Sequence, residues 1–139
     1  MDEQELRRRL DSRRREAVRV EQVGMAEDEP PAQPAKCHEN VRAYVARHPN
    51  CKAVRGWLIG YHGTFLYFNA HSLVETEDGS LIDITPSQPP CPFLRHPGSD
   101  EEFIEIIAVT PRIFCDLPPE EWPDLVDTFE PDSDDLSDE

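Results

Sequence analysis

The sequence predicts an α+β domain in which one helix precedes an antiparallel meander of about four or five strands. Two observations predict this class. In residues 38–47 the apolar side chains of Val41, Tyr44 and Val45 recur with helical spacing. After Pro49 the spacing changes, and short β-rich runs alternate with turns that contain glycine. A helix followed by hairpins is typical of an α+β fold.

The individual elements follow from local signals. A helix is expected over residues 38–47, because Pro49 removes a hydrogen-bond donor and stops the run. His62-Gly63 and Asp78-Gly79 are predicted to be hairpin turns. The proline-rich stretch 86–97 is predicted to be an irregular loop. The β-rich runs predicted as strands are residues 54–61, 65–70, 71–76, 81–85 and 103–109.

The charge is distributed unevenly along the 139 residues, which carry a net charge of −15. Residues 116–139 hold 11 acidic and no basic side chains, whereas acidic and basic residues nearly balance in the remainder. We therefore expect a charged helix and a proline-rich linker at 1–35, a folded core at 36–115 and an acidic tail at 116–139.

The two end segments have further expected features. Near the N-terminus, glutamates precede arginines by four residues, which favours a solvated helix held by ion pairs. In the tail, the apolar residues of 122–129 have helical spacing and predict a short docking helix before a disordered end.

Composition excludes several classes of function. No run approaches the roughly 20 apolar residues of a membrane span, and the N-terminus lacks the apolar core of a signal peptide. A cytoplasmic protein is expected, and its four cysteines are predicted to be free thiols. An acidic chain is also a poor binder of nucleic acid, because the phosphate backbone repels it. The sequence leaves the oligomeric state open.

One cysteine occupies a position that activates thiols. Cys37 stands in the first turn of the predicted helix, where free backbone N–H groups favour an anion. This environment is expected to lower the pKa of the thiol and to raise the thiolate fraction. A nucleophilic cysteine also needs a base nearby.

His71 and Asp83 provide the two other groups of a catalytic triad. If residues 77–79 form a three-residue turn, Leu73 lies opposite Asp83, and His71 is diagonal to Asp83 on the same face. A two-residue turn would place the two side chains on opposite faces, because one step of register reverses them. A carboxylate at Asp83 could then hold the imidazole in the productive tautomer.

At these residues the sequence resembles the papain-like fold of transglutaminase-like and NlpC/P60-like cysteine enzymes. The stretches CHENVRAYV, GWLIGY, AHSLVE and LIDITP also look like a family of small uncharacterised bacterial proteins. The resemblance covers about residues 36–105 and implies acyl transfer on an amide or thioester bond of a peptide or amide substrate. It implies that Cys37 is the nucleophile, His71 the base and Asp83 the group that orients the base. The oxyanion-hole glutamine of papain-type proteases has no counterpart upstream, so the backbone N–H of Cys37 is the candidate donor.

Other interpretations stay open. Cys37 could be a small apolar core residue, His71 a hydrogen-bonded strand histidine, and Asp83 an acid bonded to Thr85 or to backbone. The domain could also be a catalytically silent protein-binding module of the same fold. A zinc-binding protein is a third alternative, with Cys37, His38, His48 and Cys51 as ligands, although the helix separates the two pairs. The triad interpretation requires no cofactor and no metal.

Overall fold

The computed structural model describes residues 1–25, 27–33, 36–85 and 91–121. Within these ranges the chain forms three α-helices and one mixed six-stranded sheet, so the predicted α+β class is confirmed. The elements are, in chain order, α1 (Glu3–Arg13), β1 (Glu21–Gln22), α2 (Cys37–Arg47), β2 (Lys52–His62), β3 (Phe65–Glu75), β4 (Leu81–Asp83), β5 (Phe93–Arg95), α3 (Asp100–Val109) and β6 (Arg112–Asp116).

The sheet is organised around the long hairpin of β2 and β3, which pair along their whole length from Lys52–Glu75 to His62–Phe65. Gly63 has a φ of +66° in the turn, a left-handed conformation that glycine adopts without steric cost. On its far side β2 pairs with β5. The other edge of β3 is shared by two strands, β6 at one end and β4 at the other.

Several predicted strands need correction. The runs 65–70 and 71–76 are one continuous strand, β3. The run 103–109 belongs to helix α3, which begins with a capping box between Ser99 and Glu102 and buries Phe103. The predicted loop contains strand β5, and strand β6 was not predicted. The sheet is also not purely antiparallel, because β1 pairs with β4 in parallel.

Helix α1 is not the solvated helix that its charges predict. Leu6 and Leu10 are fully buried and pack in one cluster with Trp57 and Phe68 from the central hairpin. Two of the ion pairs predicted on the exposed face are present, Arg7 with Glu3 at 2.6 Å and Arg9 with Glu5 at 2.7 Å. Asp11 pairs with Arg14 and not, as predicted, with Arg15. Four residues separate the two leucines, so the helix needs only a narrow apolar stripe to reach the core.

All three helices contribute to the core on one face of the sheet. Successive side chains of a strand point to opposite faces, so Phe68 and Val74 of β3 share a face. Helix α1 packs in the cluster of Phe68, and α3 packs in the same cluster through Phe103. Helix α2 packs through Val41 on Val74. His71 and Leu73 point to the opposite face.

Part of the predicted organisation falls outside the described residues. The predicted docking helix at 122–129 and most of the acidic tail lie there, as do residues 86–90 of the predicted loop. Among the helices that are described, none combines the length and the apolar character required to cross a membrane.

Candidate active site

Cys37 is the first residue of helix α2, one position earlier than the predicted helix start. The preceding residue, Lys36, provides no side-chain cap, and the first backbone bond of the helix runs from the N–H of Asn40 to the carbonyl of Lys36. The first N–H groups of a helix have no partner within it and attract negative charge. The thiol therefore stands at an uncapped helix N-terminus.

The hairpin register brings His71 and Asp83 to the same face, as the three-residue turn predicts. Val74 pairs with Ile82, and the N–H of Thr76 donates to the carbonyl of Ser80 at 2.8 Å. Gly79 closes the turn with a φ of +90°. Continued by one residue, this register sets Leu73 opposite Asp83 and leaves His71 diagonal to it.

A buried hydrogen bond joins the two side chains. Nε2 of His71 lies 2.8 Å from Oδ2 of Asp83, and the residues are only 6% and 5% exposed. The second carboxylate oxygen, Oδ1, accepts the backbone N–H of Thr85 at 3.1 Å. The backbone N–H of Val23, just after β1, donates to the carbonyl of Asp83 at 2.9 Å. Both the carboxylate and its backbone are thus held from several sides.

The thiol and the imidazole favour opposite charges. Burial alone would raise the pKa of Cys37, but hydrogen bonds from His38 and His71 and the charges of both rings lower it to about 6. Burial would likewise lower the pKa of His71, but the hydrogen bonds to Asp83 and Cys37 raise it to about 9. Between these values the thiolate–imidazolium form is favoured.

The start of α2 lies at the part of β3 that has β2 on one edge and, in the described part of the chain, no paired strand on the other. Within the described residues, β6 pairs with β3 as far as Asn69, and β4 pairs with it from Val74 onward. His71 and Ser72, between these points, face opposite sides of the sheet, yet they contact Cys37 and His38, the first two residues of the helix. The helix start therefore sits at the opening in this sheet edge.

Sequence reasoning did not identify a second hydrogen-bond network beside the thiol, formed by three polar side chains. Nδ1 of His38 lies 2.6 Å from Oγ of Ser72, and Nη1 of Arg55 donates to the same hydroxyl at 2.7 Å. Arg55 and Ser72 are direct partners across β2 and β3. No local pattern relates His38 to this pair, because their meeting depends on where the helix lies against the sheet.

A cavity of about 340 Å³ opens in front of the thiol. Cys37 and His38 line it, whereas His71 and Asp83 are not among its lining residues. The wall formed by α3 is apolar. The other lining residues are Lys36, Glu39, Arg42, Arg55, Phe103, Ile104 and Ile107.

The residues of the zinc alternative are not brought together. His48 caps the C-terminal end of α2, bonds to Glu29 and stacks on Tyr44, whereas Cys37 begins the helix. Throughout the described part of the chain, no three histidine, cysteine or acidic side chains are grouped so that they could hold a metal ion. The bond predicted between Asp83 and residue 85 is present, through the backbone of Thr85, together with the bond to His71.

Comparisons with protein-family models, with curated proteins and with solved structures gave no match to this chain.

Proposed function

We propose that this protein is a thiol hydrolase or acyltransferase that cleaves an amide or thioester bond through Cys37, His71 and Asp83. One observation carries the proposal. The rings of His38 and His71 lower the pKa of the thiol at the start of α2 to about 6, and the buried imidazole of His71 is bonded to the buried carboxylate of Asp83 at 2.8 Å. Nucleophile, base and orienting group in this order are the arrangement that nucleophilic catalysis requires.

Acylation begins from the thiolate–imidazolium pair. Sγ of Cys37 attacks the carbonyl carbon, and the carbonyl electron pair moves to oxygen. When the tetrahedral adduct collapses, the carbon–nitrogen bond breaks, and the leaving nitrogen takes the proton from His71. The products are an amine, a thioester on Cys37 and a neutral His71.

Deacylation returns the site to its starting state. Neutral His71 takes a proton from water as the water oxygen bonds to the thioester carbon, and the carbon–sulfur bond then breaks. The acid leaves, and the thiolate–imidazolium pair is restored. An amine or alcohol in place of water would make the reaction a transfer.

The start of α2 supplies a donor for the oxyanion that forms in both steps. The backbone N–H of Cys37 has no partner within the helix, because the first helical bond is made by Asn40. A donor already in place costs no reorganisation when the charge develops. This N–H takes the role for which the sequence offers no upstream glutamine.

The papain-like arrangement remains part of the proposal. What supports it is the chain order, with the cysteine opening a helix, the histidine on strand β3 and the aspartate at the end of β4. Such an enzyme requires a reduced thiol, which fits a reducing compartment such as the cytoplasm.

Competition among the cysteines for limiting iodoacetamide tests the nucleophile. Cys51 is the matched control, because it is partly exposed like Cys37. At pH 6.5 a thiol with a pKa of about 6 is mostly thiolate, whereas an ordinary thiol is about 1% thiolate. Allowing for the lower nucleophilicity of the more acidic thiol, Cys37 should label roughly five to ten times faster than Cys51.

A second variant and a second reagent separate the enzyme from a catalytically silent binding module. His71→Ala should reduce the labelling advantage of Cys37 in peptide mapping by mass spectrometry, while the contribution of His38 to the lowered pKa remains. p-Nitrophenyl acetate should then leave an acetyl thioester on Cys37 that turns over in the parent protein. Equal labelling of Cys37 and Cys51 would refute the nucleophile, and a thioester that persists would favour the binding module.

A further inference from the structure

The cavity beside Cys37 is positively charged in a strongly acidic protein. Among the described residues, three cationic side chains line it, from Lys36, Arg42 and Arg55, against one carboxylate, that of Glu39. Over the whole chain the balance is reversed, with 29 acidic and 14 basic residues. The composition of the chain would predict an excess of acidic side chains, so the excess of basic side chains is specific to this cavity.

Two of the three cations have no carboxylate partner in the described part of the chain. Lys36 pairs with Glu39 at 3.7 Å, and Arg7 and Arg9 of α1 pair with acids of their own helix. Arg55 instead donates to the hydroxyl of Ser72, and its buried Nε finds no acceptor. Arg42 also lacks an ion pair among these residues. A guanidinium held beside a cavity without a counter-ion is suited to an anionic ligand.

The opposite wall of the cavity is apolar. Phe103, Ile104 and Ile107 of α3 line it, and Ile104 is 53% exposed although it is a large hydrophobic residue. Small-molecule sites combine an apolar lining with a few polar groups that fix orientation. The volume of about 340 Å³ is at the lower end of the range for such sites, so the cavity suits a small acyl compound or a short part of a peptide.

We propose that the acyl donor of this protein carries a carboxylate, which Arg42 and Arg55 bind, and an apolar group that contacts α3. This inference rests on the proposed function, because it describes the substrate of the same thiol. Cys37 lines the same cavity as both walls, so an acyl compound bound in this way can present its carbonyl carbon to the sulfur. Binding groups on both sides of the reacting bond would orient the substrate for attack.

Two alkylating reagents that differ in charge test the inference. Iodoacetate carries a carboxylate next to its reacting carbon, and iodoacetamide is its neutral counterpart. The measured quantity is the ratio of the iodoacetate rate to the iodoacetamide rate at each cysteine, in the folded full-length protein. This ratio should be about fivefold higher at Cys37 than at Cys51, which is the upper range for an exposed ion pair.

Charge variants of the cavity show whether its cations cause the preference. Arg42→Gln lies on an exposed helix position and should lower the ratio at Cys37 towards that at Cys51, and Arg55→Gln should do the same. Glu39→Gln removes the one acidic side chain that the described residues contribute to the lining, and it should raise the ratio. Arg47→Gln is the matched control, because Arg47 lies on the same helix but pairs with Glu29.

The outcomes separate this inference from the proposed function. If Cys37 is fast with iodoacetamide but its ratio equals that of Cys51, the anionic substrate is refuted and the nucleophile stands. A ratio that is high but unchanged in the Arg42 and Arg55 variants also refutes the inference. If Cys37 reacts no faster than Cys51 with either reagent, the proposed nucleophile is refuted, and with it the function on which this inference rests.

Discussion

His71 and Asp83 are diagonal neighbours across β3 and β4, and a hydrogen bond of 2.8 Å joins their side chains in a buried position. The relationship depends on the odd number of residues in the turn that ends at Gly79. One residue fewer would reverse the face of every side chain beyond the turn. The geometry of the proposed base is therefore determined by a turn at the surface.

The first prediction concerns pH. The pKa of Cys37 is lowered to about 6, so its thiolate forms as pH rises through that value, and alkylation should reach half its maximum near pH 6. The pKa of His71 is raised to about 9, so its proton is lost above that value. Acetyl transfer needs the thiolate of Cys37 and the protonated imidazole of His71, so its rate should have a bell-shaped pH profile with its maximum between these two pKa values. In His71→Ala the alkylation midpoint should move up towards 8.5; a midpoint that stays near 6 would assign the low pKa to another cause.

The second prediction concerns Asp83. Its hydrogen bond and its charge help to raise the pKa of His71, so Asp83→Asn should shift the upper limb of the bell to lower pH. The rate of acetyl transfer should fall at least about tenfold, because the imidazole loses its orienting partner. Glu77→Gln is the control, an exposed acid in the turn of the same hairpin. A lower rate with an unchanged upper limb would make Asp83 merely structural.

The third prediction concerns helix α1. Leu6 is fully buried, so Leu6→Ala should lower the free energy of unfolding by about 2–5 kcal/mol in urea denaturation. Gln4→Ala, at an exposed position of the same helix, should change it by less than about 0.5 kcal/mol. Equal effects of the two substitutions would show that the helix does not belong to the core.

The fourth prediction concerns Gly56, the partner of His71 on β2. A Cβ atom at this position would overlap with the backbone carbonyl oxygen of Leu94 and with the ring of Phe93. Gly56→Ala should therefore destabilise the protein by about 1–3 kcal/mol, as overpacking does. Gly24→Ala is the control, because a Cβ there meets no atom within 4 Å. Thermal unfolding of both variants would measure the difference, and equal stabilities would contradict the close packing.

Local patterns predicted the parts of the fold that depend on neighbouring residues. Helix α2 has a clear apolar spacing and a proline stop, and the hairpin register follows from the turn that Gly79 closes. The strand predicted at 103–109 is wrong because its isoleucines favour strands, whereas the Ser99–Glu102 capping box, visible in the sequence, starts a helix there.

The remainder depends on contacts between distant parts of the chain. Nothing near Leu6 and Leu10 indicates that their helix packs against the central hairpin. The contacts of His38 with Ser72, and of Ser72 with Arg55, arise only once α2 is placed against the sheet. The sequence therefore indicates the proposed nucleophile and the proposed base, but not the cations beside them.

The length of the opening in the edge of β3 determines whether the start of α2 fits there. The N–H of Ala70 still donates to the carbonyl of Pro111 next to β6, at 2.9 Å, and Val74 is the first residue paired with β4, so residues 71–73 separate the two and the opening spans about 14 Å along the strand. A helix with its side chains is about 10–12 Å wide, so the gap admits one helix end and little else. Deleting two residues from this part of β3 would leave every side chain on its present face of the sheet, but it would close the opening in the sheet edge. The length of β3, as well as its chemistry, decides whether Cys37 can reach His71.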